Sequence, residues 1–474
     1  MPALLHYVGS DVIATADQIQ ARIQAYVAPF DLDLVSICGV SATDSLRVCR
    51  WISDNLQAAI DLDQILTAST HDYSIDSARP NDRPENRAAR NCVVYLKDIR
   101  AAFPKIADAY WSAYTIARGA GPPLSFPTES TVFDEKPLIL RDSTSAWCPS
   151  ANALFWSLLS ACERRLIESN IKTRFLRHRD QTLEREAFDL FRRFFKEKAR
   201  IYSGLFETPT QQFEHDVVII VGDRCLIVEA KASEPVEPFR DPERAFTRLR
   251  DAFRSEKGIQ GAFKQANRLV RRLRTEEKVE LFDERGNVVV RTGAKELRAA
   301  YAVCITRDDH GPLAINLDLL LEKEPADTYP WVINSLDLAT ICDCREYWSR
   351  PPEMLFEYLD ERLLLHGKAF AVDELDIMAF WLWHGSLRSI LNASEDIIAV
   401  NPHYSDLIDK MYLARLRGGP RVELRSAAPV PEDERGSMAS GEDPPHAAKR
   451  LGSSRNKPCP CGSGKKFKNC HGVA

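Results

Sequence analysis

Apolar and polar positions change their rhythm several times along the chain. Between residues 214 and 231 two apolar, β-branched runs flank Gly222-Asp223, and Glu214, Asp216, Glu229 and Lys231 stand at their outer ends. Two such runs around a two-residue turn containing glycine predict a β-hairpin. Upstream, residues 176–208 carry Phe188, Leu190, Phe191, Phe194 and Phe195 as the greasy face of a charged helix, and 199–206 follow as a short strand. Downstream, 241–274 read as helical, 278–281 and 288–290 as a second hairpin about Asn287, and 300–306 as a strand. Residues 329–342 are another apolar segment, within which Asp337 opens a helix. Helix, strands, helix, strands is the alternation of an α/β core.

The flanks differ. Residues 1–175 read as mostly helical, with one amphipathic stretch from Asp17-Gln18-Ile19 and another opened by Thr43-Asp44-Ser45 and continued through Ile52, Leu56 and Ile60. A polar, proline-punctuated loop spans 81–91, and Pro122, Pro123 and Pro127 break the chain before an apolar helix over 151–167. From 352 to 417 the pattern is helical again, and Asp373-Glu374-Leu375-Asp376 caps a run, 377–383, that is apolar nearly all round and therefore buried. His384-Gly385-Ser386 lacks the strand-elbow-helix setting that a nucleophilic serine needs. Residues 418–456 shift to Gly, Pro, Ser, Glu and Asp and predict a disordered linker, whose ends would stand roughly 30 Å apart.

Length and charge narrow the picture. At 474 residues the chain is too long for one core and predicts two or three domains. The expected partition is a helical domain over 1–175, an α/β core over 176–350, a helical extension over 351–420, a linker over 421–455 and a small tail over 456–474. A formal net charge of -5 does not advertise a nucleic-acid binder, so any such surface is local. The start has no basic and apolar secretory pattern, and no run approaches the ~18 apolar residues that span a bilayer, so no membrane partner and a cytoplasmic location are expected. Nine of the twelve cysteines are scattered through apolar segments and read as reduced core residues, Cys342 and Cys344 included.

The hairpin carries the chemistry. Glu229 and Lys231 are two apart, so the pleat puts both on one face, and hairpin pairing brings Asp216 close to them. Carboxylates in a nearly apolar hairpin are costly unless paired or holding a metal. Hard cations such as Mg²⁺ take carboxylate oxygens, and a neighbouring lysine activates water or offsets phosphate charge. In the helical stretch 241–274, ten Lys or Arg stand against four acids, and Arg244, Arg248, Arg268, Arg271 and Arg272 are placed to track a phosphate backbone.

An acid on one strand followed by Glu-x-Lys on the next resembles the PD-(D/E)XK nuclease superfamily, with its NERD and Mrr-type members nearest. The resemblance covers residues 176–345, lacks the proline of the family name, and has Leu269 where an aromatic often follows the glutamine. It implies a restriction endonuclease-like mixed sheet flanked by helices. It also implies a Mg²⁺ (or Mn²⁺) site held by Asp216 and Glu229 with help from the Ala230 carbonyl, Lys231 acting on water, Glu184 (Glu186 in reserve) supporting from the preceding helix, and Gln265 orienting from the following one. The implied reaction is phosphodiester hydrolysis in nucleic acid, DNA first, with restriction of foreign DNA as its setting.

The tail is a second centre. Cys459, Cys461, Cys470 and His471 are spaced as Cys-x-Cys, eight residues, Cys-His, a Cys₃His set for tetrahedral Zn²⁺ in a peptide too small to fold without the metal. Gly462-Ser463-Gly464-Lys465 is not a phosphate loop, because Cys459 stands five before Gly464 and Lys466 replaces the Ser or Thr. From Lys449 onward there are seven Lys or Arg and no acid, a basic face for the knuckle. The set resembles the SEC-C motif ligand for ligand, which implies docking of a protein or nucleic-acid partner. A catalytically silent adaptor on the same fold is the rival expectation.

Overall fold

The computed structural model describes residues 16–59, 92–121, 123, 131–232, 241, 243–393 and 397–424. The 81–91 loop, nearly all of the expected linker and the whole tail, with Cys459, Cys461, Cys470 and His471, lie outside the described residues.

The first body gathers helices α1 (Ala16–Tyr26), α2 (Asp31–Cys38), α3 (Ala42–Ala59), α4 (Leu96–Ala102), α5 (Ala107–Tyr114) and α6 (Ala151–Glu168) around one apolar cluster. Ile23, Leu46, Ile52, Tyr110 and Leu158 lie at its centre. The α3 helix starts one residue before the expected Thr43, because Ser41 Oγ accepts the Asp44 N–H at 2.9 Å and caps it. Strands β1 (Val93–Tyr95), β2 (Thr115–Ala117), β3 (Leu138–Leu140) and β4 (Ser145–Trp147) add a small sheet of order β1-β4-β3-β2. Three-residue strands are too short to show a period of two, so the hydropathic pattern gave no sign of them.

The central body begins with α7 (Lys172–Phe195), followed by an antiparallel meander of β5 (Arg200–Phe206), β6 (Glu214–Val221) and β7 (Arg224–Lys231). Gly222 supplies the positive φ of 57° at the first central position of the β6–β7 turn, the type II′ requirement. The basic stretch then forms two helices, α8 (Ala245–Arg254) and α9 (Ile259–Thr275), rather than one. The break falls at Gly258, where a Cβ would run into the Ala252 carbonyl oxygen. After the hairpin β8 (Val279–Phe282) and β9 (Val288–Thr292), β10 (Ala299–Thr306) lies parallel to β7, with Lys231 opposite Thr306. Strand β11 (Trp331–Asn334) closes the seven-stranded order β11-β10-β7-β6-β5-β8-β9.

Period-two alternation explains why the hairpin is apolar throughout. Val217, Ile219, Leu226 and Val228 join the cluster of Leu183, Ala187 and Phe191 from α7. Val218, Ile220, Cys225 and Ile227 join that of Phe263, Ala266, Leu269 and Val270 from α9. Both faces of the sheet are thus covered by helices. Truncating the buried Phe191 to Ala would leave a cavity costing roughly 3–5 kcal/mol.

Helices α10 (Ser335–Tyr347), α11 (Met354–Arg362), α12 (Glu374–His384) and α13 (Asp406–Arg417) contribute to the same cluster as α7. Asn334, not Asp337, caps α10, accepting the Asp337 N–H at 2.9 Å. Asp373 and Asp376 close a reciprocal capping box on α12, as the pattern predicts. Buried Glu374 ties three elements together: it accepts from Trp331 Nε1 at 2.7 Å, Tyr358 Oη at 2.5 Å and Arg362 Nη2 at 2.8 Å.

The first body is bolted to the sheet beside the end of β10. Arg22 Nη2 donates to the Arg307 carbonyl at 2.9 Å and to Ser335 Oγ at 2.8 Å, and Arg307 Nη1 reaches Glu163 at 2.7 Å. No single described helix is long and apolar enough to cross a bilayer.

Candidate active site

Regular pairing of β6 with β7 runs from Val221↔Arg224 to Val217↔Val228. Beyond it the Asp216 side chain takes over, and Oδ2 accepts the Ala230 N–H at 2.7 Å. One bond therefore sets Asp216 between Glu229 and Lys231 at the end of the hairpin. The second Asp216 oxygen accepts nothing from the described residues.

Glu229 is fully buried, and only one of its oxygens is used. Its Oε1 lies 2.8 Å from His215 Nδ1, while Oε2 is buried with no hydrogen-bond partner among the described residues. The other side of the imidazole is also held, since His215 Nε2 lies 3.1 Å from Glu207 Oε1. Glu207 in turn accepts from Arg268 Nε at 2.7 Å and Arg272 Nη1 at 2.9 Å.

The electrostatics follow from this layout. Burial, and then the Asp216 charge, push the Glu229 carboxyl up to about 7 against the opposing pull of His215 and Lys231. Glu184, on α7, also rises to about 7, through burial first and then Asp216, Glu214 and Asp180, with Lys231 opposing. Asp216 is raised by burial, against the Ala230 N–H and Lys231. Glu207 behaves oppositely: burial works against its charge, but His215, Arg268 and Arg272 together carry it down to about 2. His215 is disfavoured as a cation by burial, yet its bonds to Glu207 and Glu229 outweigh that and raise it.

Four expected site residues thus meet within one electrostatic neighbourhood: Glu184, Asp216, Glu229 and Lys231. Lys231 is half-buried and its ammonium group has no ion-pair or hydrogen-bond partner among the described residues. Glu186 instead accepts from Tyr26 Oη at 2.7 Å, so the helix register turns Glu184 toward the hairpin and Glu186 toward the first body. Gln265 does not touch the carboxylates; its Nε2 donates to the Glu214 carbonyl at 2.6 Å and fixes the start of β6.

The five arginines separate into two groups. Arg268 and Arg272 hold Glu207, Arg272 also grips Glu276 at 2.8 Å, and Arg271 forms a fork with Asp327 at 2.9 and 2.5 Å. These three line a cleft of about 560 Å³ with Lys264 and Lys323, but their charges are already matched by internal acids. Arg244 and Arg248, at the start of α8, stand apart from that network.

His215 and Glu207 were not singled out by the sequence. His215 had a signal, an ionisable ring inside an otherwise apolar strand next to Asp216. Glu207 had none, because its partners stand 8, 61 and 65 positions away.

The residues suit a divalent cation in one respect and fall short in another. The orphaned Glu229 Oε2 beside Asp216 is what a hard cation would satisfy. Among the described residues, however, no three His, Cys, Asp or Glu side chains form a ready-made cage, so backbone and water would complete the shell. The nine described cysteines are free thiols, seven of them buried.

Comparison with known proteins places one part of the chain. A SEC-C motif matches residues 455–472, covering all four expected zinc ligands. Similar segments occur in protein translocase subunit SecA of Dechloromonas aromatica (57% identical over 37 residues) and Myxococcus xanthus (51% over 53). SecA of Parabacteroides distasonis is 72% identical over 29 residues. These segments make up 8%, 11% and 6% of this chain, and 4%, 5% and 2% of the respective SecA proteins. No solved structure matches the chain.

Proposed function

We propose that the chain is a divalent-metal-dependent nuclease of PD-(D/E)XK type, acting in the cytoplasm on nucleic acid, DNA in the first place, with a zinc knuckle that docks a partner. The observation that carries this reading is the buried, unpartnered Glu229 Oε2 next to Asp216, with Lys231 on the same strand end. A mixed sheet covered by α7 on one face and α9 on the other supports it, since the resemblance implies a mixed sheet flanked by helices. Restriction of foreign DNA is the setting we infer.

In this reading Asp216 and Glu229 would hold a Mg²⁺ or Mn²⁺ ion, with the Ala230 carbonyl beside them. When bound, such an ion polarises a phosphoryl oxygen and lowers the pKa of water. Lys231 orients the attacking water and offsets the charge that develops on the phosphate. Glu184 supports the metal or Lys231 from the preceding helix, within the electrostatic reach of Asp216 and Lys231. Gln265 keeps the start of β6 in place.

A second reading draws on the tail and on the arginines already matched internally: a silent nuclease-fold adaptor that docks a ribosome or secretion-related partner. Purified protein incubated with plasmid, single-stranded DNA and RNA, with and without Mg²⁺ or Mn²⁺, separates the two. Metal-dependent cleavage supports the nuclease; metal-independent binding without cleavage under any of these conditions supports the adaptor.

A further inference from the structure

Resting on the metal-site reading above, we infer that His215 is a positioning residue that locks the Glu229 carboxylate in one orientation, so that Oε2 faces the cation.

A carboxylate on a two-carbon stem can rotate and offer either oxygen. Here the imidazole occupies Oε1 at 2.8 Å, which leaves Oε2 as the presented atom. The ring itself cannot swing, because its far nitrogen is 3.1 Å from Glu207. Glu207 is gripped in turn by Arg268 and Arg272, both from α9, the helix that packs on this face of the sheet. The chain Arg268/Arg272–Glu207–His215–Glu229 therefore transmits the rigidity of a packed helix to a single oxygen. His215 and Glu229 are fully buried, so no solvent competes for these bonds.

A purely structural purpose explains the arrangement less well. Replacing buried charged groups by apolar ones of similar volume is often neutral or stabilising, and the orphaned oxygen adds a desolvation cost with no return to folding. An outer partner that orients a metal-holding carboxylate accounts for both features, and such partners typically govern affinity by 10–100-fold.

The test measures Mn²⁺ binding to the full chain, by titration followed through free-ion electron paramagnetic resonance, with no turnover involved. His215→Phe removes both bonds at similar size; His215→Asn keeps an amide donor near the Nδ1 position. Asp216→Ala reports on the site itself. We expect about tenfold weaker Mn²⁺ binding in His215→Phe and recovery of most of that loss in His215→Asn. Unchanged affinity in a folded His215→Phe, or equal losses in both, would overturn the inference. If His215→Phe does not fold, Glu207→Gln, which loosens the ring without touching Glu229, is expected to weaken binding by a smaller factor, about threefold on the same scale. Unchanged affinity there overturns it equally. If wild type and Asp216→Ala bind Mn²⁺ alike, the underlying site reading fails, and this inference with it.

Discussion

The Asp216 carboxylate replaces a ladder bond: its Oδ2 accepts the Ala230 main-chain N–H at 2.7 Å, at the point where regular pairing of β6 with β7 stops. A side chain thus does what backbone would otherwise do, and as a result three ionisable groups meet at one strand end. The end is also where β7 and β10 run parallel, and in open α/β sheets the crevice beyond the carboxyl ends of parallel strands is the usual place for a site.

If this cluster cuts nucleic acid, the two substitutions Asp216→Ala and Lys231→Ala should each lower Mg²⁺-dependent cleavage at least about a hundredfold, the usual effect of removing one preorganised electrostatic group. Circular dichroism should be unchanged by Lys231→Ala, since its ammonium group makes no hydrogen bond or ion pair among the described residues. Cleavage rates equal to wild type in both variants would show that the site lies elsewhere.

The titration behaviour has a definite sign. Glu184 and Glu229 move from an ordinary 4.5 to about 7 in the folded chain, so the folded state binds more protons than the unfolded one between those values. Their contribution to stability is largest at or below about 4.5 and falls as pH rises toward 7. His215, also raised, acts in the same direction: its contribution is present below its ordinary 6.5 and lost above its folded value. The melting temperature of metal-free protein should therefore fall from pH 5 to pH 8, and Mn²⁺ should restore it most at the upper end. Calorimetric titration in buffers of different ionisation heat should show protons released on Mn²⁺ binding near pH 6.5. A melting temperature that rises steadily over this range would contradict the assignment.

Two groups of arginines should respond differently. Arg272→Ala breaks the grip on buried Glu207 and should destabilise the fold by roughly 3 kcal/mol, the lower end for breaking a buried charge network. Arg244→Ala with Arg248→Ala should leave the melting temperature within about 1 °C, as expected of surface changes, and weaken nucleic-acid binding with a shallower salt dependence. A gel-shift series at several salt concentrations, paired with thermal melts, checks both. Loss of nucleic-acid affinity in Arg272→Ala without any change in melting temperature would return that residue to the binding surface.

The tail should hold one zinc per chain through Cys459, Cys461, Cys470 and His471. Cys459→Ser with Cys461→Ser should abolish it in a metal analysis of the purified protein; retained zinc would move the site. Removing residues 449–474 should leave the melting temperature of the remainder nearly unchanged, and a large drop would mean that the tail packs on the body.

What could be read from the sequence is what depends on neighbours in the chain. The β6–β7 hairpin, its Gly222 turn, the Glu229-Ala230-Lys231 face, the Asp373 cap and the SEC-C ligand set are all written within a few residues of themselves, because turns, pleats, caps and metal knuckles are local geometry. The tertiary structure decided what depends on distance. It turned Glu184 rather than Glu186 toward the hairpin, because Tyr26, 160 positions away, takes Glu186. It set His215 between Glu229 and Glu207, and it matched Arg268, Arg271 and Arg272 to acids 61, 56 and 65 positions away. A burst of basic residues on an amphipathic helix looks the same whether its charges face a phosphate backbone or a buried glutamate. Only the packing of α9 against the sheet chooses between them, because burial makes an unpaired carboxylate at Glu207 or Asp327 too costly to leave and so draws a guanidinium to it.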